Sequence, residues 1–188
     1  WTLGLNVTPH MVALKYDRQD VHALLLEYSS PLRQLIDACG RGDSEAEERI
    51  LVQHLGLDRS ISNEDGGVLF GRGLYEYYYD SQSKAPKAVR TVVDAGFALT
   101  ARAEMGATPL HWASWYGSHE AVQTLLEFGA PLEEKDEVVK STPLQWATHG
   151  AIQGHHSYGG HMMIIRDLLS AGANADEVSV PTGNREID

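Results

Sequence analysis

The sequence predicts an all-α solenoid of stacked helical hairpins. Three observations carry the prediction. A Thr-Pro pair recurs 34 residues apart, at Thr108-Pro109 and Thr142-Pro143; paired leucines follow each, at Leu125-Leu126 and Leu168-Leu169; and a Gly-Ala step closes each unit, at Gly129-Ala130 and Gly172-Ala173. Periods of this length mark repeat architectures, in which one unit cannot bury its apolar face alone.

Each element of the clearest unit has a physical reason. Thr108 caps a short helix, and Pro109 sits in its first turn, where a missing N–H costs nothing. Leu110 and Ala113 share one face of that helix, and Gly117 allows the tight turn into a second. Val122, Leu125 and Leu126 follow the i, i+3, i+4 spacing of an amphipathic face. Gly129 ends the second helix in a conformation that glycine adopts cheaply. The polar, acidic stretch from Leu132 to Lys140 predicts a hairpin finger projecting from the helices.

Upstream, Thr8-Pro9, Ala13, Val21, Leu25 and Leu26 keep the same frame, with Asp17 in place of the turn glycine. The next unit runs through Leu35, Ala38, Cys39, Gly42, Ala46, Ile50, Leu51 and Gly56, with a shortened finger at Ser29-Ser30-Pro31 before it. The third unit is the most divergent, with Val68-Leu69-Phe70 at its start and the frame regained at Val89, Val92, Val93 and Gly96. Five units are expected, over residues 4–30, 31–63, 64–103, 104–137 and 138–176, with 177–188 a tail or a cut repeat. Insertions fall near 75–86 and 150–161. The last two units should share one core made of Leu110, Ala113, Val122, Leu125, Leu126, Leu144, Ala147, Leu168 and Leu169.

Thr108-Pro109-Leu110-His111 and the residues that follow it resemble an ankyrin repeat. The resemblance implies antiparallel helix pairs stacked side by side, short β-hairpin fingers at right angles to them, and a concave protein-binding surface. It also implies a structural hydrogen-bonding role for His111.

A formal net charge of −11 speaks against nucleic acid and anionic membranes, which need clustered cations. Cys39 is the only cysteine, which excludes an intramolecular disulfide. No apolar run approaches the ~20 residues of a membrane span. A cytoplasmic protein is therefore expected. The start at Trp1 reads as a truncated or processed end, and apolar Trp1, Leu3, Leu5 and Val7 would suit a repeat whose neighbour has been cut away.

His149, His155, His156 and His161 make the most metal-like group, but their spacing is irregular and no thiol or carboxylate accompanies them; no metal and no cofactor are expected. The acidic runs at Glu45, Glu47, Glu48 and at Glu133, Glu134, Asp136, Glu137 read as solvated faces and finger edges, with no general acid/base pair. Trp112 and Trp146 share a frame position and should pack side by side, half-buried. Trp115 and Tyr116 end a first helix at positions where large aromatics have no packing use, and His149 matches Trp115 one unit on. The finger tips fall at Met105 and at Val138-Val139, and the Tyr75, Tyr77, Tyr78, Tyr79 cluster lies in the first insertion, where alternate tyrosines either pack beneath it as a satellite core or contact a partner. The reading is a non-catalytic module that binds a neutral or basic protein through Met105, Trp115, Tyr116, Val138, Val139, His149, Tyr77 and Tyr78. The alternative is a small-molecule or metal-binding protein, or an enzyme, with the His-rich and Tyr-rich insertions as pocket walls.

Overall fold

The computed structural model describes residues 8–62, 65–67, 71, 75, 85–153 and 160–176. Among these, nine α-helices have both ends described, residues 65–67 are also helical, and there is no strand. They pair as hairpins: α1 (Pro9–Lys15) with α2 (Gln19–Glu27), α3 (Pro31–Arg41) with α4 (Ser44–Gln53), α6 (Pro109–Trp115) with α7 (His119–Glu127), and α8 (Pro143–Gln153) with α9 (His161–Ser170). The remaining helix, α5 (Ala85–Asp94), packs against α3 and α7.

The hairpins stack into two layers, α6 beside α8 in one, and α5, α7 and α9 in order in the other. Local sequence explains the helix starts. Thr8 and Ser30 accept backbone N–H groups of Met11 and Arg33, Asp43 accepts that of Ala46, and proline follows the cap in α1 and α3. The turn between paired helices needs a left-handed residue. Gly42 (φ 64°) and Gly117 (φ 69°) supply it cheaply, whereas Asp17 (φ 51°) takes it with a side chain in the first hairpin.

One continuous core runs from Met11 to Ala173. Leu110, Ala113, Val122, Leu125, Ala147 and Leu168 are fully enclosed, and Leu126 and Leu144 pack at its margin. Leu169 departs from expectation. It is 41% exposed, because it occupies the side of α9 that turns away from α7.

The fingers are hydrogen-bonded turns rather than strand ladders. Ala103 N–H donates to Ala107 O and Asp136 N–H to Ser141 O, and Glu137 N–H reaches across to Met105 O at 2.8 Å. Gly106 (φ 65°) is required where the fingers meet, since a Cβ there would lie 2.3 Å from the Glu137 side chain.

Candidate functional site

The first helices of the last two units carry a chain of rings from the interior to the surface. Tyr75 stacks on Tyr116 at 4.8 Å, Tyr116 lies 6.2 Å from Trp112, and Trp112 meets Trp146 edge-on at 5.2 Å. Trp146 contacts Trp115 at 5.9 Å, and Trp115 stacks nearly parallel on His149, 5.5 Å between centroids and 19° between planes. Trp115 is half-buried and His149 is exposed. The pair forms because equivalent positions on adjacent first helices lie side by side, and flat rings meet there face to face.

Two expectations change here. Tyr116 is buried, so it offers no surface to a partner: it caps α6 and turns inward between Tyr75 and Trp112. Its cover is Tyr75, itself buried and contributed by the first insertion, which a one-repeat frame treats as loop. Trp112 and Trp146 do lie side by side, but buried rather than half-buried. Tyr77 and Tyr78 fall outside the described residues, as does Tyr79.

The fold buries two residues of the acidic runs expected to be solvated, Glu47 and, more completely, Asp136. Asp136 is 1% exposed, and its Oδ1 accepts the N–H groups of Val138 and Val139 while its Oδ2 accepts those of Ser141 and the Trp146 indole, at 2.7–3.0 Å. Burial pushes its pKa up, but the bonds from Ser141, Trp146, Val139 and Val138 outweigh that and hold it below the ordinary carboxylate range. The finger therefore folds around a fixed anion. This presents Val138, 56% exposed, at its tip, with Val139 half-buried beside it.

A comparison of the two finger sequences carries the signal. Asp136 stands six residues before Thr142, and the residue six before Thr108 is Arg102. Arg102 solves the finger differently. Its guanidinium donates to Gly106 O at 2.7 Å and Lys135 O at 2.8 Å and pairs with Glu134, clipping one finger to the next. In consequence Trp112 has no carboxylate matching the one that Trp146 bonds, and its indole N–H is buried without an acceptor. Met105, at the first tip, holds a left-handed backbone (φ 61°) and is 39% exposed.

Two histidines are structural. His111 Nδ1 accepts the Thr108 N–H at 3.1 Å, and its Nε2 donates to Ser141 O at 2.9 Å, linking the two units. Burial, chiefly, lowers its pKa to about 4, so the ring is neutral near pH 7. In the next unit Gln145 Oε1 takes over the cap, accepting the Thr142 N–H at 2.8 Å. His161 sits in a notch between two glycines, where a Cβ on Gly117 or Gly150 would come within 2.6 or 2.7 Å of its ring. Its Nε2 donates to Trp115 O at 3.0 Å, satisfying a carbonyl at the open end of α6. His161 is thus placed by packing and buried where His149 is exposed, while His155 and His156 lie outside the described residues. Among the described residues no three His, Cys, Asp or Glu side chains are grouped to hold a metal ion. Cys39 is buried, its thiol pKa raised by burial and by Glu47 and Asp37.

A family model for the ankyrin repeat matches residues 105–137. This segment runs from Met105 through α6, the Gly117 turn and α7 into the Asp136 finger. This segment is similar to an ankyrin repeat, and helical elements pack on either side of it. Ankyrin repeats are generally protein-interaction modules. No curated protein matches the chain. No helix of the described residues is long and apolar enough to cross a membrane.

Proposed function

We propose that this chain is a non-catalytic module that binds another protein across α6, α8 and the two finger tips. The observation that carries the reading is the Trp115–His149 stack. It is the one place where the ring chain reaches solvent among the described residues, and it lies in the same unit pair as apolar Met105 and Val138. Every other ring in that chain is buried and explained by packing. A rigid aromatic platform beside exposed apolar tips is the composition of a protein-binding hot spot, where single truncations cost ~2 kcal/mol or more. Met105 adds a second reason, because a left-handed backbone at a non-glycine residue costs about 1 kcal/mol and persists at sites with a use for it. The partner we expect is neutral or basic, given the net charge of −11.

The test is quantitative affinity capture from host cells with wild type, His149→Ala and Val138→Asp. Both residues are exposed, so thermal melts should be unchanged. Partners retained by wild type and weakened at least about tenfold by both variants, roughly 1.4 kcal/mol, support the reading. Full retention by both places the binding surface elsewhere.

A further inference from the structure

We propose that the joint between the first two hairpins is an acid-released latch: as pH falls, α1 and α2 part from α3 and lose their helices while the later hairpins stay folded. The joint involves none of the residues of the ring platform, so it stands apart from the function proposed above.

The joint is held by polar side chains more than by packed faces. α1 and α2 pack broadly on each other and only lightly on α3, whereas α6 packs broadly on α8. What ties the first hairpin to the second is a set of hydrogen bonds. His22 bonds Asp37 at 2.7 Å, and Gln34 donates to the carbonyls of Leu26 and Ser29 at 3.2 and 3.0 Å. Helices of seven and nine residues are marginal without a neighbour, so parting at this joint means local unfolding of α1 and α2.

A buried histidine pair makes the joint titratable. His10 of α1 and His22 of α2 are 7% and 5% exposed, and their rings meet edge-on at 6.1 Å. Ser29 Oγ donates to Leu25 O at 2.7 Å, so it accepts the proton of His10 Nε2 at 2.9 Å. This fixes the neutral tautomer and leaves His10 Nδ1 bare, buried and without a partner. A second proton must go onto Nδ1, where no acceptor meets the new charge. The charged and titratable groups facing His10 are His22 from α2 and Asp37 and Arg33 from α3. Asp37 favours the cation, but its two oxygens already hold His22 and Arg41; Arg33 and His22 oppose it. Burial is the largest influence. It exceeds the pull of Leu25 O and Asp37 and holds the His10 pKa below the ordinary 6.5. Once the hairpin parts, the ring is in water and takes up the proton more readily. The closed joint is therefore fully favoured above about 6.5 and loses that advantage as pH falls toward the folded value.

Native-state hydrogen exchange on the full 188-residue chain tests this at pH 7 and pH 5, corrected for the intrinsic rate at each pH. In wild type the opening constant of α1 and α2 should rise about threefold to tenfold, and that of α3 and α4 by less than about twofold. His10→Gln keeps a donor for Ser29 and cannot titrate, so its α1 and α2 should show no rise. His111→Gln removes a different buried histidine and should leave the rise in place, which keeps the test decisive if His10→Gln fails to fold. Carbon NMR of the histidine rings in wild type gives a third reading, in which His10 titrates below 6.5. A His10 that titrates at 6.5 or above, a rise that persists in His10→Gln or vanishes in His111→Gln, or equal opening of all helices overturns the proposal.

Discussion

Between the last two repeats a buried carboxylate, Asp136, is bound by donors that lie close in sequence, from Val138 to Trp146. Between the first two hairpins the buried carboxylate is Asp37. It accepts from His22 on the preceding hairpin at 2.7 Å and from Arg41 one turn along its own helix at 2.7 Å. Both hubs join neighbouring elements, and both bury an anion almost completely. They differ in what holds the charge. Backbone amides and a Trp indole are rigid donors that fold locally. The Asp37 hub instead needs two charged or titratable side chains to converge, one of them from fifteen residues away. The Asp136 anion keeps three of its donors when one goes, whereas the Asp37 anion couples His22 of one hairpin to Arg41 of the next.

The largest effect should come from breaking the Asp37 hub. Asp37→Ala leaves buried His22 without its acceptor and half-buried Arg41 with Asp43 alone, and is expected to destabilise by ~3–5 kcal/mol in denaturant melts. A loss below about 1 kcal/mol would mean that water reaches the site and that the junction is not as dry as its burial implies.

Leu125→Ala, in the core between the last two repeats, should cost ~2–5 kcal/mol as a cavity substitution. It sets the scale for the polar changes.

Acid should act on the well-matched half through His111. Its folded pKa is about 4, below the ordinary 6.5, so the unfolded chain takes up a proton first as pH falls. Stability is therefore complete above about 6.5 and is lost progressively down to about 4, by an amount on the order of 3 kcal/mol. Asp136 continues the loss at lower pH, because its depressed folded pKa contributes stability that disappears as the carboxylate protonates. Glu47 works in the opposite sense, since burial and then Asp94 and Glu48 raise its pKa, so protonation favours its folded form. Urea melts of wild type and His111→Gln between pH 7 and pH 4 check this. A wild-type slope that survives unchanged in His111→Gln would assign the acid loss to other groups.

The smallest predicted effect is the most discriminating. Trp146→Phe removes an N–H bonded to a buried carboxylate, whereas Trp112→Phe removes one with no acceptor. Both lose similar volume, so the Trp146 variant should be the less stable of the two by about 1.5–3 kcal/mol. Equal losses would mean that the Asp136–Trp146 bond contributes nothing beyond packing.

Much of this molecule follows from local rules. Thr8 and Thr108 announced helix starts because capping is a contact across three residues, and a proline in the first turn strengthens it; Ser30, read as part of a shortened finger, proved to be such a cap as well. Gly42 and Gly117 marked turns because only the backbone angle there matters. The 34-residue spacing predicted side-by-side stacking because each hairpin leaves an apolar face that a like hairpin covers. The pairing of Trp115 with His149 was legible for the same reason, since equal frame positions on neighbouring helices meet.

What the tertiary structure alone decided are the cases in which a residue's surroundings come from another element. Tyr116 has the composition of an exposed contact and becomes core because Tyr75, 41 residues earlier, lies on it. Leu169 has the spacing of core and stays half-open because no described helix packs on that side of α9. Asp136 sits in an acidic run like its neighbours, yet four donors gather on it and on none of the others. Periodicity fixes which side of a helix is apolar. Burial depends on what stands opposite, and that distance-dependent property of assembled elements is absent from any single stretch of chain.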